Sequence, residues 1–82
     1  MGLDAVELLV KIESEYEISF SDDEAISILT VGDLRDAIHR KAPGISREAI
    51  YERLRSFLIE DFACAPEDVS LSARIVADLG LD

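Results

Sequence analysis

The chain has 82 residues, 49% of them hydrophobic, with eight basic against eighteen acidic side chains and a net charge of -10. That length bounds one small domain, and with 6% aromatics and no Trp its core must be aliphatic. The acidic balance argues against nucleic acid, which needs basic patches. No apolar run reaches the roughly 20 residues of a membrane span, and no basic segment with a long apolar stretch follows Met1 as in a signal peptide.

The first helix is expected over about Leu3–Tyr16, where Val6, Leu9, Val10, Ile12 and Tyr16 recur at spacings near three and four. Asp4 and Glu7 sit where the helix dipole favours acids. Glu13, Glu15 and Glu17 crowd the end where it does not, a small local cost that hints at a role. Ser21 with Glu24 three residues on reads as a capping box for a short helix from Asp22 to Ile28 or Leu29, with Ile18 and Phe20 anchoring the preceding loop. Thr30 caps a third helix over about Val31–Arg40, with Leu34, Ala37 and Ile38 inward and Gly32 in its first turn. Pro-Gly within Ala42–Ser46 is the clearest break. Ser46 then opens a fourth helix over 47–62, with Ile50, Leu54, Phe57, Leu58 and Phe62 as its buried stripe. The remainder reads as a long ordered loop, packed through Val69, Leu71, Ile75, Val76 and Leu79. No alternating run supports a strand, so the fold class is all-α: a small four-helix bundle with one short helix and one long loop.

Chemistry-bearing residues are sparse. His39 lies near a helix end beside Arg40 and Lys41, where a favourable charge is its expected role. Cys64 is alone, which precludes an intrachain disulfide, suits a reducing cytoplasm and reads as a small buried hydrophobe. No second His or Cys is present to share a metal with either, and the acid pairs of "SDDEA" and "ESEYE" are explained as solvated faces. No catalytic residue, no metal ligand and no enzymatic activity are expected.

The order of the segments is more informative. Placing 47–82 before 1–41 joins "REAIYERLRSFLIEDFACAPEDVSLSARIVADLGLD" to "LDAVELLVKIESEYEISFSDDEAISILTVGDLRDAI". So arranged, the chain resembles an acyl carrier protein across nearly its whole length, in circularly permuted order. Residues 47–82 look like the first helix and long loop of that family, 1–41 like helices two to four, and 42–46 like a linker, all within one domain. In the family the Ser of an Asp-Ser-Leu motif carries phosphopantetheine through a phosphodiester. Here Asp82 and Leu3 match the flanking residues and Gly2 stands at the serine position. The resemblance therefore implies a fold whose parent cofactor is phosphopantetheine, and a chain that holds none as written. It also implies contact with basic surfaces of acyl-processing enzymes of fatty acid or polyketide biosynthesis through Asp4, Glu7, Glu13 and Asp22. Val6 and Val10 would be apolar anchors there, although spacing alone favours the core for both. Val10, Ile12, Ala25, Ile28 and Leu34 match the family's acyl cleft. An acidic helical interaction domain without a cofactor, and a helix-swapped dimer in place of a monomer, are the alternatives.

Overall fold

Three hydroxyl side chains set the frame of the fold. The computed structural model describes residues 3–81, and Met1, Gly2 and Asp82 lie outside the described residues, so the reading of the Asp-Gly-Leu junction does too. The helices are α1 (Leu3–Tyr16), α2 (Asp22–Ser27), α3 (Val31–Lys41) and α4 (Arg47–Glu60), followed by a single 3-10 turn at Pro66–Asp68. The described residues hold no strand, only an isolated antiparallel bridge between Thr30 and Arg74. Ser21 and Glu24 form the expected capping box at α2, and Thr30 forms another with Asp33 at α3. Ser46 Oγ accepts the Ala49 N–H at 3.1 Å to open α4. Each cap satisfies a backbone donor that the first helical turn leaves without a partner.

Two helices stop short of their expected ends for identifiable reasons. At α2, Ile28 turns extended (φ -85°, ψ 103°), which releases the Leu29 carbonyl to accept the Ile75 N–H at 2.9 Å. At α4, Ala63 adopts a left-handed φ of 56°, and the Cys64 N–H folds back onto the Leu58 carbonyl at 2.9 Å. The helix therefore closes at Glu60 rather than at Phe62. The inward stripe of α1 also differs from the expected one. Ala5, Leu8 and Ile12 are buried, whereas Val6 and Val10 are 44% and 56% exposed. Ala5, Leu8 and Ile12 repeat at three and four just as regularly.

The core is aliphatic. Leu8, Ile12, Leu34, Ile38, Ile50, Leu54 and Leu58 are essentially sealed from solvent. α3 and α4, joined by the turn at 42–46, pack against each other, and Ile38, Ile50 and Leu54 belong to the one core. The long loop enters the same core through Val69, Ala73, Ile75 and Leu81, while Leu71 and Val76 stay exposed. It is held by backbone bonds to the α2–α3 junction: the Val31 N–H to the Ala73 carbonyl at 3.0 Å, and the Gly32 N–H to the Leu71 carbonyl at 2.8 Å. From α4, Arg55 donates to the Pro66 carbonyl at 3.0 Å. Gly32 is required by this approach, because a Cβ there would stand 2.9 Å from the Leu71 carbonyl oxygen.

Candidate functional site: an apolar pocket and groove beside the first helix

The outward residues of α1 do not stand alone. Val6 and Val10 join Phe20, Ala25 and Ile26 in an open groove between α1 and α2, with Glu13 and Asp22 as its charged members. Ile26 is 73% exposed, so the groove presents a continuous apolar strip. Exposed apolar residues are unremarkable singly, and here they adjoin one another beside two acidic side chains. Asp4 and Glu7 lie on the exposed part of α1 and Asp22 at the exposed start of α2. Glu13 is partly buried and differently engaged. Its Oε2 accepts the Phe20 N–H at 2.8 Å, tying the α1–α2 loop to its own helix. That bond gives the acid a reason to sit against the dipole at the end of α1. Phe20 is held from its other side by Lys41, whose ammonium lies 5.9 Å from the ring centroid and 3.0 Å from Glu24.

Across Leu9 from the groove lies a deeper apolar pocket of about 180 Å³. Ala5 and Leu8 of α1, Ile28 after α2 and Ile75 of the long loop wall it in. Its rim carries exposed Leu29, Val76 and Arg74. Arg74 donates from Nε and Nη2 to the two carboxylate oxygens of Asp78, at 3.3 and 3.1 Å, and Asp78 also accepts the Arg74 backbone N–H at 2.8 Å. These bonds hold the Asp78 carboxyl below the usual carboxylate range and raise the Arg74 guanidinium. The cation at the rim is thus already partnered within its own turn.

The five residues matched to an acyl cleft fall in three places. Ile28 lines the pocket, Val10 and Ala25 line the groove, and Ile12 and Leu34 are sealed in the core. Ala5, Leu29 and the roof at 74–77 escape a reading of the sequence, because only the backbone bonds of the loop to Leu29, Val31 and Gly32 bring them together. His39 donates from Nδ1 to the Ile45 carbonyl at 2.9 Å and so braces the α3–α4 turn. Cys64 is half-buried against the core, and burial, then the charge of Asp68, pushes its thiol up. Among the described residues no cluster of three or more His, Cys, Asp or Glu could hold a metal ion, and no helix is long and apolar enough to cross a membrane.

Neither a family model nor a solved structure matches the chain. Over 39 residues, 48% of its length, it is 47% identical to the acyl carrier protein of Porphyromonas gingivalis, and to the same degree in two strains. The match spans about half the length of these relatives, at 50%. Over that half, the chain is similar to acyl carrier proteins, and the all-helical architecture agrees with the fold that the sequence resemblance implies.

Proposed function

We propose that the protein is an acyl-carrier-like domain, a carrier rather than an enzyme, whose segments stand in rotated order. The observation that carries this reading is the packing of the long loop at 74–77 beside the first turns of α1, around one apolar pocket. In a carrier read from its first helix, that loop leads directly into the helix that α1 matches. In this reading residues 47–82 are the first helix and long loop, 1–41 are helices two to four, and 42–46 are the linker.

Gly2 takes the place of the serine that would carry phosphopantetheine, so the chain holds no cofactor through that position. The family role is to hand thioester-bound acyl groups between enzymes of fatty acid or polyketide synthesis. The exposed strip of Val6, Val10 and Ile26, edged by Glu13 and Asp22, is the surface a basic partner enzyme would read. The same strip also suits a second reading, an acidic interaction domain with no carrier history.

Incubation with a phosphopantetheinyl transferase and coenzyme A, followed by intact mass, tests the first reading. The unaltered chain is expected to keep its mass, and a gain of the cofactor's mass would overturn the loss of the site. Gly2→Ser is expected to restore acceptance, and a gain of the cofactor's mass by that variant alone would favour the carrier reading over the interaction domain. Charge reversal at Glu7 and Asp22 is expected to weaken binding to a basic acyl-processing enzyme, and unchanged binding removes the strip as its contact. Light scattering separates the expected monomer from a helix-swapped dimer.

A further inference from the structure

Positive charge gathers at one corner of an otherwise acidic molecule. Residues 35–47 run from α3 through the turn to the first residue of α4. They hold four of the eight basic side chains and one of the eighteen acidic ones, in a chain of net charge -10. Three arginines meet there around the carboxylate of Asp36. Arg35 reaches its Oδ1 with Nε and Nη2, each at 3.1 Å, and Arg47 reaches the same oxygen with Nε at 3.5 Å. Arg40 lines an opening with Asp36 and Asp33, and among the described residues it makes no ion pair. Asp33 offers it little, because Oδ2 already accepts the Leu29 and Thr30 N–H groups. The helix dipole accounts for Arg40, in the last turn of α3. It opposes Arg47, which opens α4, where a cation is disfavoured. The pair of Arg47 with Asp36 is solvated on both sides and too weak to fix its place.

The platform under these arginines is braced. His39 Nδ1 donates to the Ile45 carbonyl at 2.9 Å, the Ile45 N–H to the Ala42 carbonyl at 3.2 Å, and the Ala42 N–H to the Ile38 carbonyl at 2.8 Å. A partner therefore meets a formed turn and loses little to ordering it. The donors decide what that partner is. Guanidinium forks match carboxylates, each guanidinium has five N–H donors, and one carboxylate cannot match three such groups. Nucleic acid and a second copy of this chain also carry anions, but each brings its full charge against the acidic remainder of the molecule. A short segment can reach the corner alone. We infer that the α3–α4 corner docks a short acidic segment of a partner protein through Arg35, Arg40 and Arg47. This surface shares no residue with the groove between α1 and α2 and stands whether or not the carrier reading does.

NMR titration of the isotope-labelled full chain with a hexaglutamate peptide at low ionic strength tests this. Saturable shifts are expected in the backbone amides and arginine Nε of residues 35–47, fading as salt screens the charges. Arg40→Glu and Arg47→Glu should each weaken binding about two- to fivefold, the range of an exposed ion pair. Lys11→Glu makes the same change in net charge on α1 and should leave the affinity nearly unchanged. An equal loss with Lys11→Glu would overturn the corner in favour of net charge alone. Absence of saturation, or shifts centred outside 35–47, would overturn it too. Should circular dichroism show that a Glu variant does not fold, the Gln variants at the same positions serve instead, and folded variants at Arg40 and Arg47 with unchanged affinity refute the assignment. Polyuridylate bound as tightly as the peptide would overturn the protein partner. A doubled mass by light scattering without peptide, lost in Arg40→Glu, would put a second copy in its place.

Discussion

Gly32→Ala isolates the contact that fastens the long loop to the bundle. On helix propensity alone, alanine should stabilise α3, by at most about 1 kcal/mol and by less in a first turn. The structure reverses that sign. A Cβ at position 32 would stand 2.9 Å from the Leu71 carbonyl oxygen, and the obstacle is backbone rather than the movable tip of a side chain. Relief requires the loop to withdraw, which weakens the 2.8 Å bond from the Gly32 N–H and strains the neighbouring bond from Val31 to Ala73. Overpacking costs about 1–3 kcal/mol and a lost hydrogen bond about 0.5–1.5 kcal/mol. Set against the propensity gain, the expected net loss is about 1–3 kcal/mol. For a domain of this size, that is a fall in Tm of roughly 5–20 °C. Urea melts followed at 222 nm give the stability, and limited proteolysis should show cleavage between Ser70 and Val76 appearing first. A variant as stable as the parent, or more stable, would refute the argument that this glycine answers to the loop.

Leu54→Ala, at a residue with no solvent exposure, should cost about 2–5 kcal/mol and lower the urea midpoint accordingly, because α4 cannot collapse onto the vacated space. Thr30→Ala removes the hydroxyl that accepts the Asp33 N–H at 3.0 Å and should cost about 1 kcal/mol by the same melt. Asp33 accepts from the Thr30 and Leu29 N–H groups, and these bonds, that of Thr30 foremost, hold its carboxyl below the ordinary value. Because the folded value is the lower one, this stabilisation is complete above the unfolded value near pH 3.9, by the usual reference for Asp, and is lost as pH falls through the folded one. Asp33→Asn should therefore flatten part of the acid-side slope, read as a smaller difference between urea midpoints at pH 6 and pH 3.

The parts of the fold legible in the sequence are those that local chemistry decides. Ser21, Thr30 and Ser46 each announce a helix start, because a side-chain oxygen and a nearby backbone N–H need no tertiary partner to meet. The helix ends were harder, because they answer to distant groups: α2 yields Leu29 to Ile75, and α4 closes through the left-handed turn at Ala63. The face of α1 was ambiguous for a similar reason. Two apolar stripes run along it at helical spacing, and only the packed partners select Ala5, Leu8 and Ile12 for burial. Of the six residues that the resemblance assigns to a partner surface, Val6, Val10, Glu13 and Asp22 line the groove, while Asp4 and Glu7 do not, and spacing alone favours the core for both valines. The pocket behind the groove was not legible, because its roof comes from the opposite end of the chain.

The fastening of the long loop also bears on the order in which the chain assembles. Leu29 and Ile75, which it joins, stand more than half the chain apart, whereas α3 and α4 meet across a five-residue turn. Closing the larger loop costs more chain entropy before any contact compensates, so the α3–α4 hairpin is expected to form first and the fastening afterwards. Interactions made after the barrier govern how fast the native state is lost, not how fast it is reached. Weakening the bonds at Val31 and Gly32 is therefore expected to speed unfolding and to leave the folding rate almost unchanged, as stopped-flow measurements in urea would read.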